Sequence, residues 1–317
     1  MNHKLAFKLL GLAAVAITYS FLTVTCVYAG PGTAGGSFLK IGVGARAVAM
    51  GEAFCAVSDD VSAIDWNPAG LSFLTGKQAT FTHNSWVQGI NYECLAYAQK
   101  IGRLGSFGIN ICYLGMEPID RTTEDGAGNY DGKDGRIDAM DFLFGFAYAR
   151  DIGIFSLGTT LKFLQERLAQ YTGTGFGLDI GLMKKFGDID KLTVGVNIQN
   201  IGSPLAFIDS AKASPLPLNI KIGAALKMLK DNFTLAIDLN YLPFENRIGV
   251  HLGGEYRCNE VLSVRLGYRT APASDIDVFS GLTAGFGLRW EGWGVDYAFV
   301  PYGNLGQTHR FSIVASF

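Results

Sequence analysis

Beyond its first 30 residues the chain has no run of 18 apolar residues, which excludes a membrane-spanning helix. It has five cysteines but no C-x-x-C pair and no zinc-ligand spacing. Histidine is scarce, with four in 317 residues, and no G-x-S-x-G elbow is present, which leaves no recognisable hydrolase site. Positive charge is not in excess either: 26 basic residues face 28 acidic ones, so nothing attracts nucleic acid. The chain therefore reads as non-enzymatic, without cofactor or nucleic-acid partner.

What is present is alternation. Leu218, Ile220, Ile222, Ala224, Leu226 and Met228 fall on one face of a strand, and Asn219, Lys221, Gly223, Ala225 and Lys227 on the other. The same dyad returns in 233–241, 248–256, 282–290 and 293–299, and it closes with Phe311, Ile313, Ala315 and Phe317. Strands of about ten residues with aromatic ends fit a transmembrane antiparallel β-barrel. Mean hydropathy is +0.22, positive without a spanning helix, as a barrel requires. Candidate strands lie at 77–86, 90–101, 103–115, 138–150, 153–168, 172–187, 190–202, 215–229, 232–243, 246–257, 260–270, 279–290, 292–301 and 307–317. Their even number, fourteen, puts both barrel ends on one side. Tight connections contrast with long ones at 116–137, 203–214 and 271–278, and 116–137 is expected to be a polar loop. The 41 glycines suit crowded lumen positions and bends.

The beginning of the chain differs. Residues 1–29 read as a secretory signal peptide: Lys4 and Lys8 precede an apolar stretch, and Val27-Tyr28-Ala29 offers a cleavage site. An uncleaved anchor and a lipid-attachment site at Cys26 are the alternatives. Cleavage leaves 24 basic against 28 acidic residues. Residues 30–76 are rich in Gly and Ala and do not alternate, which suggests an N-terminal hatch ahead of a barrel at 77–317. A short helix is expected over 58–65, stopped by Asn67-Pro68, because proline pushes the preceding residue out of the helical region.

Alternation places Lys162, Asp179, Lys221, Asp238, His251, Glu255, Arg265, Arg269, Arg289 and Asp296 toward the lumen. Both signs occur, so pairing offsets desolvation; a structural ladder is the commoner explanation of such charges, a selective pathway the less common one. Cys55, Cys94, Cys112 and Cys258 permit three disulfide connectivities, but small apolar fillers is the reading adopted. Asp134, Asp138 and Asp141 fall at positions five, nine and twelve of a calcium-type loop, yet Tyr130 and Gly132 occupy positions one and three where oxygens are needed, so a solvated loop is preferred and no metal is assigned. Aromatics such as Trp86, Trp290 and Trp293 suit the membrane–water belts, and Trp66 is read as packing the hatch against the wall. Phe317 ends a strand that barrel assembly machinery can pair with by strand addition.

Two stretches carry a family resemblance. Residues 35–54, GGSFLKIGVGARAVAMGEAF, followed by 59–71, DDVSAIDWNPAGL, resemble the N-terminal segment of the PorV/PorQ outer-membrane family, which is related to the FadL fatty-acid channels; residues 120–126 and the strand pair 142–150 and 157–163 resemble the corresponding loop and strands. The resemblance implies a bacterial outer-membrane barrel of fourteen strands with a hatch whose motif is Asp59, Asp60, Asn67, Pro68, Ala69 and Gly70. It implies a type IX secretion-like component that handles exported proteins with a translocon and sortase-type partners. The alternative it implies is a FadL-like channel for hydrophobic small molecules, in which hatch residues such as Arg46, Trp66 and Asn67 gate a path into the wall and a kinked strand admits the solute to lipid.

Overall fold

The computed structural model describes residues 34–186, 191–207, 213–270, 281–303 and 306–317. The expected signal peptide, with Cys26, lies outside the described residues, as do residues 30–33. Sixteen strands are described: β1 (Lys77–Ser85), β2 (Asn91–Ile101), β3 (Gly105–Gly115), β4 (Ile119–Glu124), β5 (Tyr130–Ile137), β6 (Ala139–Ile152), β7 (Phe155–Leu168), β8 (Tyr171–Phe186), β9 (Leu192–Gly202), β10 (Asn219–Met228), β11 (Phe233–Leu242), β12 (Arg247–Arg257), β13 (Leu262–Arg269), β14 (Leu282–Trp290), β15 (Trp293–Pro301) and β16 (Gln307–Ser316). Fourteen of them close an antiparallel barrel in which β1 pairs with β16. Phe317 and Lys77 complete the seam by exchanging backbone hydrogen bonds of 3.0 and 2.9 Å.

The remaining two, β4 and β5, form a separate ribbon where the sequence led us to expect a loop. Their side chains are polar on both faces, so the period-2 signal is absent although the backbone pairs. Within the barrel the alternation is physical. Phe81, Leu95, Ile222, Leu266 and Ile313 point outward and stay exposed, while Thr82, Lys221, Arg265 and Ser312 point inward and are buried. The wall is uneven in height: β6 and β7 have 14 residues and β8 has 16, against 8 in β13 and 9 in β14 and β15. We call the end that carries Lys77 and Phe317 the terminal end and the opposite one the loop end.

Residues 34–76 run through the barrel from the loop end to the terminal end. They contain a 3-10 turn (Ser37–Lys40), α1 (Ala45–Ala49), α2 (Ala63–Trp66) and a second 3-10 turn (Pro68–Phe73). Met50, Phe54, Ile64, Leu71 and Leu74 are among its fully buried side chains. The helix expected over 58–65 is instead a single turn beginning at Ala63. The reason is local: Asp60 Oδ1 accepts the Ser62 amide at 2.9 Å and also the Ser62 hydroxyl, an Asx turn that competes with helix. Asn67 is extended (φ −161°, ψ 102°) and its side chain caps the next turn through the Ala69 amide.

The wall is shaped to this segment at its glycines. A Cβ on Gly267 would stand 1.9 Å from the Gly51 nitrogen, and one on Gly253 would stand 2.4 Å from the Met50 carbonyl oxygen. On the opposite side Gly158 and Gly181 receive Asn67, Pro68 and Ala69 at similarly short approach. Backbone thus packs on backbone, which any side chain would prevent. One further correction concerns Cys94 and Cys112. They stand directly opposite on β2 and β3, face the interior with Cα atoms 4.2 Å apart, and are joined as a disulfide rather than serving as separate fillers. Strand alternation gives the face of each cysteine but not the register that brings them together. Cys55 is buried and free, and Cys258 is exposed and free.

Replacing Gly267 with Val should cost at least the roughly 1–3 kcal/mol of core overpacking, because the neighbour is main chain that has no rotamer to yield. The measurement is the fraction of protein migrating as heat-modifiable folded barrel, expected to fall well below that of the parent. Deleting Phe317 removes both hydrogen bonds to Lys77 and should lower the assembled fraction more than total synthesis; an unchanged assembled fraction would refute a role in assembly.

Candidate functional site

The interior is held together around Arg46, which α1 presents at the centre of the lumen. Its Nη1 donates to Asp59 Oδ1 at 2.6 Å and to Asp60 Oδ2 at 2.7 Å. Its Nε and Nη2 grip Glu255 of β12 with two contacts of 2.9 Å. Glu255 in turn accepts Arg265 Nε at 2.6 Å, Arg265 Nη1 donates to Asp296 at 2.6 Å, and Arg289 Nη2 meets the other Asp296 oxygen at 2.7 Å. Signs alternate along this chain from the segment to four strands of the wall, β12, β13, β15 and β14. Burial works to raise the Asp60 carboxyl, but the Arg46 guanidinium and the Ser62 hydrogen bonds outweigh it and hold Asp60 below the usual carboxylate range.

Further fastenings come from neighbouring strands. Asp238 of β11 accepts the amides of Phe54 and Cys55 at 2.9 and 2.8 Å, and Arg269 of β13 reaches Glu52 at 2.6 Å. Lys221 of β10 lies 4.4 Å over the Trp66 ring, a cation–π contact. His251 faces inward and meets Asn240 at 3.1 Å. Asn67 donates to the Cys55 carbonyl at 2.9 Å, with Pro68, Ala69 and Gly70 buried beside it. The structure therefore sets Glu255, Asp238, Arg269 and Lys221 against the segment and extends the first of these through Arg265, Asp296 and Arg289, while Lys162 and Asp179 pair with each other at 2.7 Å. Several members escaped the sequence reading: Asn197 donates to Trp66 O at 2.7 Å, Gln199 to Asp65 O at 2.7 Å, Thr160 to Ile64 O at 3.0 Å, and the fully buried Arg310 to Gly42 O. All four occupy inward positions, so alternation locates them. Nothing in the neutral side chains of Asn197, Gln199 and Thr160 marks them as partners.

The candidate calcium residues do not converge. Asp134 sits exposed on β5, Asp138 pairs with Arg167 at 3.3 Å, and Asp141 stands opposite Glu166 in the β6–β7 pair. Among the described residues no three His, Cys, Asp or Glu side chains are grouped to hold a metal.

The loop end has a different character. Tyr92, the Cys94–Cys112 pair, Leu114, Leu143 and Leu164 line the inner wall of β2, β3, β6 and β7, joined by Leu205 and Leu216 from the β9–β10 connection. Phe38, Leu39, Ile41 and Val43 cover this apolar surface. Two cavities lie on either side of the segment. One of about 720 Å³ opens at the terminal end, lined by Arg46, Asp60, Thr80, Glu255 and Ser312 among others. A smaller one of about 120 Å³ lies at the loop end between Trp66, Lys221, Asn240 and His251.

Residues 31–246 match the family described as an uncharacterised protein family (UPF0164). No curated protein matches the sequence. Among solved structures, the chain is similar to the Pseudomonas putida toluene transporter TodX, at 14% identity over 86% of this chain and 96% of that one, with a TM-score of 0.60. It is similar to the Ralstonia pickettii toluene transporter TbuX, at 15% identity over 87% and 98%, TM-score 0.58. A Pseudomonas aeruginosa FadL homologue aligns at 12% identity over 82% and 94%, TM-score 0.51. The shared feature is the fold, a FadL-like fourteen-stranded barrel of the bacterial outer membrane. In barrels of this kind the short turns face the periplasm and the longer loops face outward, and here the short turns are those of the terminal end.

Replacing Arg46 with Gln leaves Glu255, Asp59 and Asp60 without their shared cation. Breaking a buried pair from one side costs about 3–5 kcal/mol, so the urea midpoint of the detergent-solubilised barrel should drop and the segment should become open to protease. Unfolding curves and limited proteolysis read this directly.

Proposed function

We propose that this chain, which belongs to the uncharacterised protein family UPF0164, is an outer-membrane channel for hydrophobic small molecules. The observation that carries this reading is the apolar surface inside the loop end, in a barrel whose lumen is otherwise charged and polar. Burying so many inward-facing apolar groups at a mouth that water should reach requires a cover, and residues 34–43 supply it. Removed, that cover exposes a site suited to an apolar guest.

Fastening differs sharply along the segment. Residues 45–71 are fixed by the Arg46 cluster, by Asp238 and by backbone packing on wall glycines. Arg46, Trp66 and Asn67, the gating candidates from sequence, all lie in or against this fixed part. Residues 34–43 are held more sparsely, by Gly35 N to Pro215 O at 3.0 Å, by Lys40 to Glu245 at 2.7 Å, by Trp66 Nε1 to Val43 O at 2.8 Å, and by Arg310 to Gly42 O. The moving element in this reading is the 34–43 arm, and the rest of the segment is a partition.

The path into the wall is placed at β8–β9. There the register shifts between Leu178 and Ile180, whereas the other barrel pairs show no shift among the described residues. Asn200 is left-handed at φ 62°, its amide held by Asp179 at 2.8 Å and its side chain by Lys162 at 2.8 Å. Such bulges recur beside functional sites, and Leu216 of the apolar surface packs against Gly177 and Gly202 at this point. The solved neighbours are named as transporters and monoaromatic hydrocarbon channels, which supports a channel over the secretion component that the PorV/PorQ resemblance implies.

A tether tests the arm. A Cβ on Gly35 would lie 3.4 Å from the Ser214 Cβ, within reach of a disulfide. The double variant Gly35→Cys with Ser214→Cys, oxidised in proteoliposomes, should lose uptake of a fluorescent hydrophobic probe and regain it on reduction, with the parent barrel insensitive to the same reductant. Full uptake in the oxidised variant would remove the arm from the mechanism.

A further inference from the structure

The lipid-facing side of the wall carries one hollow. On β12 Gly254 occupies an outward position, and its cross-strand partners, Leu235 of β11 and Leu266 of β13, stand on either side of it, 46% and 70% exposed. Leu252 and Tyr256, the next outward residues of β12, close the other two sides. The space between them is about 350 Å³. We propose that it is a binding site for one phospholipid of the periplasmic leaflet, with an acyl chain in the hollow and a zwitterionic head group on the adjoining turns.

Glycine makes the hollow, and the packing of the fold does not require it there. At Gly253 and Gly267, which face the interior, a Cβ would collide with the main chain of Met50 and Gly51. At Gly254 no such obstacle exists: a Cβ would stand 3.6 Å from the Phe233 ring and 3.9 Å from the Leu266 carbonyl oxygen, ordinary contact distances, and the backbone is not left-handed. A glycine inside a strand weakens it and marks a place where something approaches closely. Here the inner face leaves that role to Gly253 and Gly267, so the approach at Gly254 comes from outside.

Position and charge identify the occupant. The hollow opens on the hydrocarbon side of an outer-membrane barrel, and its side chains are apolar, so hydrocarbon fills it. From Leu252 to the Tyr256 level is four residues, about 13 Å of strand, which fits inside one half of a core about 30 Å thick. Tyr256 marks the terminal end of the hollow, and the turns just beyond it carry both signs: Lys230 and Asp231 between β10 and β11, and Arg257 and Glu260 at the β12–β13 turn, all exposed. Arg257 Nη2 donates to Asp231 O, which draws these two turns together at the foot of the hollow. Neither Lys230 nor Arg257 is in an ion pair among the described residues. A phosphate meets the two cations and an ammonium meets the two carboxylates, the complement of a zwitterionic head group.

The test takes the full-length barrel, purified from outer membranes in mild detergent, through native mass spectrometry, then strips it of lipid and titrates it with palmitoyl-oleoyl-phosphatidylethanolamine. The parent should retain a single phospholipid and rebind one equivalent. Gly254→Leu fills the hollow from its floor and should weaken rebinding about tenfold or more, whereas Ala224→Leu, a comparable enlargement at an outward position of β10, should leave it unchanged. Joint replacement of Lys230 and Arg257 with Gln should weaken it as well. Heat-modifiable migration shows which variants are assembled; if Gly254→Leu is not, Leu266→Ala lowers an exposed wall of the hollow and should show the same loss to a smaller degree. A parent that rebinds no phospholipid, a retained adduct that is not a phospholipid, binding by the assembled hollow variant equal to the parent's, or an equal loss in Ala224→Leu would each overturn the proposal. Uptake of the hydrophobic probe should match the parent in all these variants, which separates this result from that of the channel function.

Discussion

Hydrocarbon offers no hydrogen-bond partner, and this one constraint dictates the rest. Every backbone N–H and C=O in the bilayer has to be paired inside the protein, which for strands means a closed sheet without edges. Closure creates an interior, and fourteen strands enclose more space than their inward side chains fill. The chain fills it with its own first segment, so the wall's inner face is cut to receive main chain at Gly158, Gly181, Gly253 and Gly267. Arg46 and its carboxylates follow from the same logic. Charge brought into a protein interior has to be paired, and the pairing ties the segment to β12, β13 and β15 through side chains that alternation alone would have left facing water.

The lumen is divided by chemistry as well as by space. One flank, built from β10 to β16, carries the alternating charges; the other, built from β2, β3, β6 and β7, presents Leu143, Leu164 and the cystine to an apolar arm. A uniform polar lumen would suit a general pore, and a uniform greasy one would not stay open to water. The asymmetry sets an apolar surface at the loop end apart from a charged flank that fastens the segment.

Barrel strands were legible because lipid on one side and a polar interior on the other impose a strict period of two, and Leu235, Ile237 and Leu239 obey it. The ribbon of β4 and β5 was not legible, since water on both faces of Asp120 to Glu124 erases that period. Glycines were seen as a number but not as an imprint, because which of them meet Met50 or Pro68 depends on how a non-repetitive segment threads the interior. The cystine needed register, which alternation does not supply. Inward charges such as Glu255 and Asp296 could be named from pattern, whereas their partners could not, because Arg46 lies more than 200 residues away in sequence.

That separation governs how the molecule comes into being. Arg46 is made early, whereas Glu255, which it grips, and the Arg265 and Asp296 that extend the chain of charges follow more than 200 residues later. Until the final strands arrive, the thread has no needle's eye to occupy, and the sockets at Gly253 and Gly267 do not exist. Filling the interior and sealing the β1–β16 seam are consequently a single late event rather than two successive ones. A partly zipped wall would hold neither its thread nor its seal, which leaves the nascent chain dependent on whatever shelters it across the periplasm.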